Sequence, residues 1–208
     1  LEPSTKYDSH GVYSGTALPI GEELLLAYTG NVRDRDWNRF SYQMGALMNT
    51  QNQITKIEQP LIPAPPEGYT DHFRDPQVIP YQGGYLLIIG AQTVQEEGKV
   101  LVYQGDTYTN WQLLGELDYM PAQAGYMVEC PNLVFIKEQP VLIFCPQGMA
   151  KEDFAYQNIY PNTFVVGEQF DVNNITLTNP QPIQNLDEGF DLYASQVINA
   201  PDGRVLSV

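Results

Sequence analysis

The chain has 208 residues, with 10 Lys and Arg set against 25 Asp and Glu, a formal net charge of −15. This length suits one large domain with a substantial core, and this charge opposes nucleic acid or an anionic membrane surface as a partner. No run approaches about 18 consecutive apolar residues, so no transmembrane helix is expected.

Residues 1–11 show no basic-then-apolar signal pattern. The chain begins without Met and stops at "GRVLSV", inside what reads as a strand, so both ends read as cut from something longer. Only Cys130 and Cys145 occur. Such sparse use fits a reducing cytoplasm and free thiols rather than a disulfide scaffold. With His10 and His72 as the only histidines, no zinc-type metal site is expected, and no G-x-S-x-G elbow supports a serine triad.

Helical periodicity is almost absent along the chain. The apolar runs are short, β-branched or aromatic, and bounded by turn residues, which predicts strands. A first set covers 12–19, 23–29, 41–49 and 54–58, and a second covers 76–80, 85–92, 99–105 and 111–115. A third covers 128–136, 140–146, 162–170 and 174–177, and a fourth opens with 190–199 and 204–208. Turn signals such as "GEE", "QGG" and "EEG" separate them. Ser14, Asp75, Glu129 and Asp191 mark the first strand of each set, at spacings of about 61, 54 and 62 residues. Four strands per unit, repeated, is the signature of a β-propeller with a slightly long period. A β-sandwich would not predict polar residues on every fourth strand; a propeller does, because the first strand of each blade lines the central channel. Three sets and the opening of another fall short of a closed ring.

The polar residues on those first strands are the candidates for chemistry. In "HFRDP", Asp75 precedes Pro76, which suits the first residue of a strand. Arg74 can hold a carboxylate or a sugar hydroxyl with its planar fork. The pair reads either as a surface ion pair or as a carboxylate aimed into a site. Glu129 lies inside an apolar strand, which is costly unless the group is paired or used. It reads either as a satisfied core glutamate or as a general acid whose pKa burial raises. Asp187 and Asp191 read as turn or supporting residues. Trp37, in "RDRDW", reads as a loop residue or as an aromatic edge of a sugar site.

With "HFRDP", "ECPN" and "DEGFDLYASQ" in that order and spacing, the chain resembles the β-fructofuranosidases of glycoside hydrolase family 32, which include invertase and bacterial sucrose-6-phosphate hydrolase. "GVYSGTA" is similar to that family's Ser-Gly-Ser-Ala segment, with Thr16 in place of the second serine, and "YTGNVRDRDWNR" and "FCPQG" look like its bacterial intracellular members. The sequence departs at Asn132, where the family often has aspartate.

The resemblance implies a five-bladed propeller followed by a β-sandwich. It assigns 1–68 to blade two, 69–123 to blade three, 124–183 to blade four and 184–208 to the start of blade five. It implies retaining hydrolysis of terminal β-fructosides, most simply sucrose or sucrose 6-phosphate, in the cytoplasm and without a cofactor. Glu129 would be the acid/base, and Asp75 would bind fructose hydroxyls and stabilise the transition state. Arg74 would support Asp75, Ser14 and Tyr13 would line the sugar pocket, and Cys130 and Asp191 would stand behind these groups. The family's nucleophile is an aspartate in an Asn-Asp-Pro-Asn type motif, which does not occur here and is expected upstream of Leu1. Retaining hydrolysis needs two carboxylates roughly 5 Å apart, so the 208 residues alone are expected to be inactive, and an open ring is expected to self-associate. A fructan- or levan-cleaving enzyme and a non-catalytic carbohydrate-binding propeller are the alternative readings.

Overall fold

The computed structural model describes residues 1–119, 124–151, 160–200 and 202–208. β1 (Val12–Ile20), β2 (Glu23–Arg33), β3 (Arg39–Met48) and β4 (Ile54–Lys56) form one four-stranded sheet in chain order. β5 (Tyr69–Tyr81), β6 (Gly84–Thr93), β7 (Gly98–Thr107) and β8 (Asn110–Glu116) form a second. β9 (Met127–Ile136), β10 (Gln139–Gln147) and β11 (Thr163–Val166) begin a third; β12 (Gln169–Asp171) and β13 (Thr176–Thr178) leave it as a hairpin, and β14 (Gln184–Asn185) returns to complete it. β15 (Val197–Asn199) and β16 (Val205–Ser207) pair as a last hairpin. The architecture is that of a β-propeller, with β1, β5 and β9 packed side by side as the innermost strands. The junction expected at residue 123 lies outside the described residues.

The central strands show why their apolar runs do not alternate. On β6, Leu86 and Ile88 face the core shared with the third sheet, while Leu87 and Ile89 face the core shared with the first, and all four are fully buried. On β10, Leu142 and Phe144 point one way and Val141 and Ile143 the other. A sheet covered on both faces selects hydrophobic residues at every position, and each such side chain contributes about 1.5–3 kcal/mol on burial. Gly90 marks the tightest approach between sheets, since a Cβ there would lie 2.0 Å from the Val128 carbonyl oxygen. Gly90 pairs with Arg74, and Val128 precedes Glu129, so this close packing lies beside the Arg74–Glu129 contact.

Three strand expectations need correction. The strand over 162–170 is two strands in different sheets. The Gly167 N–H still reaches the Pro140 carbonyl at 2.9 Å, but the next, from Glu168, turns to Thr178 at 2.8 Å. The strand over 190–199 is reduced to Val197–Asn199, because Ala194 takes φ 58° and breaks the extended path. Finally, the strand expected from Pro76 starts at Tyr69, so "HFRDP" lies within β5, and Pro76 is not a first residue.

Residues 1–11 are tied down by Asp8, whose side chain is fully buried. It accepts hydrogen bonds from the Ser4 N–H (3.0 Å), the Thr5 N–H (2.8 Å), the Thr5 hydroxyl (2.9 Å), the Tyr28 hydroxyl (2.9 Å) and the Lys56 ammonium (2.5 Å). Burial opposes the charge, but the Lys56 ammonium and the Thr5 and Ser4 donors outweigh it and hold the carboxyl well below its ordinary 3.8. A carboxyl depressed in the fold stabilises it above the unfolded value, and that stability is lost as pH falls through 3.8 towards the folded value. Asp8→Asn is therefore expected to cost about 1–3 kcal/mol at neutral pH and to flatten the decline of Tm between pH 5 and pH 2. A thermal melt series over that range checks this; an unchanged slope would remove Asp8 as the anchor.

Candidate active site

The three innermost strands share one local device. On β1, Tyr13 and Ser14 together oppose Thr29 of β2, since the register jumps from Val12↔Gly30 to Gly15↔Tyr28. On β5, Asp75 and Pro76 oppose Ile89, between Arg74↔Gly90 and Gln77↔Ile88. On β9, Cys130 and Pro131 oppose Phe144, between Cys145↔Glu129 and Ile143↔Asn132. Each is a bulge with two residues against one, which bends the strand and re-aims the side chains beside it. A proline inside a strand is tolerated at a bulge, where no ladder bond is lost. Asp75 (φ 67°) and Cys130 (φ 47°) supply the left-handed residue that each Pro-containing bulge needs, and aspartate adopts that region at lower cost than most side chains.

The bulges turn Tyr13 and Ser14, Arg74 and Asp75, and Glu129 and Cys130 towards one cleft of about 380 Å³, which Arg39 and Tyr193 also line. Glu129 is clasped from two sides. Arg74 donates to its Oε1 from Nε (2.9 Å) and Nη2 (2.7 Å), while Gln147 donates to Oε2 at 2.8 Å and the Tyr193 hydroxyl donates to the same oxygen. Its side chain is 17% exposed. Glu129 is therefore a paired carboxylate at the cleft wall. Burial, then Glu129 itself, pushes the Tyr193 hydroxyl far up, so it stays protonated and donates.

Arg74 holds Glu129 rather than Asp75, which differs from the expected pairing, because its fork is turned across the cleft towards β9. Asp75 is held by backbone. Its Oδ2 accepts the Cys130 N–H at 3.0 Å and the Cys130 S–H at 3.5 Å, and its own N–H donates to the Thr29 hydroxyl at 2.9 Å. Thr29 in turn donates to Gln43 (2.8 Å), whose amide donates to the Phe73 carbonyl (3.0 Å). Asp75 is 6% exposed, and burial raises its carboxyl against the opposing pull of Arg74 and the Cys130 N–H. Burial and the neighbouring Asp75 push the Cys130 thiol far up, and burial lifts Cys145 to about 12. Both thiols are free and protonated, so neither acts as a nucleophile.

His72, which the sequence reading left unassigned, lies behind Arg74. Burial, then the Arg74 and Arg39 charges, push it down to about 4. It is neutral at neutral pH, and its Nδ1 accepts from Arg74 Nη1 (3.1 Å) and Arg39 Nη1 (3.3 Å). A guanidinium only donates, so the ring proton is on Nε2. Asn132 is fully buried. It donates to the Cys130 carbonyl (2.9 Å) and the Ser195 carbonyl (3.3 Å) and accepts the Val197 N–H (3.2 Å). An ionised aspartate could not make the two donations, so asparagine here braces the Cys130 bulge against the 195–197 segment.

Two expected site residues fall elsewhere. Trp37 is 68% exposed and takes φ 66°, with its ring edge-on to His10 and under Arg33; it does not line the cleft. Asp191 is exposed and also outside the lining, where its neighbours Tyr193 and Ala194 reach in. Arg39, Tyr193, Gln147 and His72 were missed. All four sat inside quoted segments, "RDRDWNR", "DLYAS", "FCPQG" and "HFRDP", but periodicity assigns no role to a residue beyond its strand.

Residues 1–208 match the family described as Glycosyl hydrolases family 32 N-terminal domain. The chain is 54% identical over 209 residues to a sucrose-6-phosphate hydrolase of Pediococcus pentosaceus, covering 100% of this chain and 42% of that protein. It is 49% identical to one from Streptococcus mutans, covering 100% of this chain and 44% of that protein. Among solved structures, a sucrose-6-phosphate hydrolase from Lactobacillus gasseri superposes with a TM-score of 0.93 at 45% identity, over 99% of this chain and 42% of that one. A Bombyx mori family 32 β-fructofuranosidase variant in complex with sucrose gives 0.83 at 29% identity, over 93% and 41%. The chain thus spans less than half the length of these relatives.

Proposed function

The chain belongs to glycosyl hydrolase family 32, and from that membership we propose that the whole protein hydrolyses terminal β-fructosides with retention, its substrate being sucrose or sucrose 6-phosphate. The observation that carries the reading is the placement of Glu129 and Asp75 in one cleft by matching bulges on neighbouring strands. Glu129 protonates the leaving glucosyl oxygen and later deprotonates the attacking water, the two halves of acid/base work in a retaining mechanism. Arg74, Gln147 and Tyr193 hold its carboxyl group in place as it alternates between acid and carboxylate. Asp75, fixed by the Cys130 N–H, accepts hydrogen bonds from fructose hydroxyls that strengthen as the ring flattens towards an oxocarbenium ion. Ser14 and Tyr13 line the same pocket. The attacking carboxylate comes from sequence outside these 208 residues.

Among the described residues no helix is long and apolar enough to cross a membrane. We place the protein in the cytoplasm on its two free, buried cysteines. The 208-residue chain alone is expected to self-associate, with Phe190 (81% exposed) and Val208 (80%) among its uncovered apolar side chains.

Fructose release from sucrose and sucrose 6-phosphate, measured on the 208-residue chain and on the whole protein, tests this reading. Circular dichroism and size-exclusion chromatography of both samples report folding and association. Activity is expected from the whole protein alone. Turnover by the short chain would overturn the external attacking group, and a folded whole protein inert on sucrose, its phosphate and fructans would overturn the hydrolase reading in favour of carbohydrate binding. A short chain that elutes as a clean monomer would end the self-association proposal.

A further inference from the structure

We propose that Arg39, supported by Arg33 and by His72, forms an anion-reading subsite of the cleft that takes a phosphate carried on the leaving sugar. The inference rests on the hydrolase reading and names what would set its selectivity.

Four of the chain's five arginines are Arg33, Arg35, Arg39 and Arg74, in a protein of net charge −15. A phosphate monoester carries about −1.5 to −2 at neutral pH, and the general field of such an acidic protein repels it. Admitting it requires local positive charge, and Arg39, which lines the cleft and feels the charges of Arg74 and Arg33, is placed to supply it.

The arrangement is costly without an anion. Arg33 and Arg39 face each other directly across the β2–β3 ladder, a position where like charges are destabilising. Burial, then the positive charges of Arg74 and Arg33, depress the Arg39 guanidinium. Among the described residues, no ion pair relieves either arginine: the five ion pairs involve Lys56, Arg74, two contacts of Lys99, and Arg204. Arg33 spends a donor on the Trp37 carbonyl at 2.9 Å, and Arg39 donates to His72 Nδ1. The nearby acids are engaged otherwise. Asp71 pulls on Arg39 electrostatically, but its Oδ1 accepts the Ser41 N–H at 3.1 Å. Asp34 accepts from the Asp36 and Asn38 N–H groups and the Asn38 amide.

The geometry also selects a side of the cleft. Arg39 touches His72, His72 touches Arg74, and Arg74 clasps Glu129. The basic corner therefore stands on the same side as the group that protonates the leaving oxygen, which is where the leaving sugar's substituents are presented. His72, held down near 4, stays a neutral acceptor that orients two guanidinium groups without adding a third charge. Arg74 is occupied by Glu129, which leaves Arg39 as the guanidinium that lines the cleft with donors to spare.

The test compares the whole protein with its Arg39→Gln, Arg33→Gln and Arg39→Lys variants on sucrose 6-phosphate and on sucrose. The ratio of kcat/KM values, phosphorylated over unphosphorylated, is expected to fall about tenfold or more in Arg39→Gln, less in Arg33→Gln, and to recover in part in Arg39→Lys. Inhibition by glucose 6-phosphate is expected to weaken in parallel, with inhibition by glucose as the reference. An equal loss on both substrates would overturn the proposal and leave Arg39 as a brace for His72 and Glu129. If the folded whole protein hydrolyses neither substrate, the hydrolase reading fails first. Calorimetric titration with glucose 6-phosphate then still decides the subsite: binding weakened by Arg39→Gln supports it, and binding absent or unaltered by the variant rejects it.

Discussion

Glu129→Gln in the whole protein is expected to lower kcat on sucrose by about 10³-fold, within the range that a positioned acid/base contributes. The substitution keeps the side-chain shape and one acceptor oxygen for the Arg74 fork, whose two bonds both end on Oε1. It removes the proton that the leaving oxygen takes. An aryl β-fructoside, whose leaving group needs little protonation, should lose far less in the fructosyl-transfer step and accumulate a covalent intermediate, visible as a burst of phenol and as added mass on the protein. Equal losses on sucrose and on the aryl substrate would remove Glu129 from the acid/base role. Since Glu129 sits at the cleft wall, the variant should melt within a few degrees of the parent.

Asp75→Asn separates activity from stability. kcat/KM is expected to fall by about 10²–10³-fold, the typical cost of removing one preorganised transition-state contact. The fold should not suffer, because asparagine also tolerates the left-handed region and its amide oxygen can still accept the Cys130 N–H. Burial raises the Asp75 carboxyl above its ordinary 3.8, so the folded chain holds this proton more tightly than the unfolded chain does. Such a group favours the fold at pH below the unfolded value, and that advantage is lost as pH rises through the folded value. Above the folded value the ionised carboxylate is a cost to the fold, and asparagine relieves it. The variant should therefore melt at or above the parent temperature at pH 7 while being nearly inactive. A variant that melts well below the parent would show that Asp75 is retained for the fold. A well-folded, fully active one would remove it from the chemistry.

Both predictions depend on the matched bulges, which explain why three strands far apart in sequence present their polar residues at one level. A regular strand would alternate Arg74, Asp75 and Pro76 between its two faces and break its ladder at the proline. With one extra residue, the strand keeps its hydrogen bonds on either side and turns the carboxylate into the cleft. The same insertion on β9 turns Glu129 towards Arg74 and gives Asp75 the Cys130 N–H.

Much of this was legible in the amino-acid order. Runs such as "YLLIIG" and "VLIFC", bounded by turn residues, require strands, and their continuous apolar character requires cover on both faces. The recurrence of polar residues on every fourth strand requires a shared axis. Asp75, Glu129 and Arg74 stand out because charged groups in apolar strands need a reason, whereas Ser14, Tyr13 and Cys130 were marked as site residues by the resemblance to family 32. Those are local properties, set by side-chain chemistry and by period. Which groups meet was decided only by the tertiary structure. Arg74 reaches Glu129 across 55 positions, Asp75 takes its donor from the Cys130 backbone, and Arg39 reaches His72 across 33. Trp37 and Asp191 fall outside the cleft, while Tyr193 lines it and Gln147 reaches Glu129. The physical reason is that sheet packing fixes such partners: the approach of β6 to β9 at Gly90 and the one-residue shift in each innermost strand set distances that no spacing along the chain encodes.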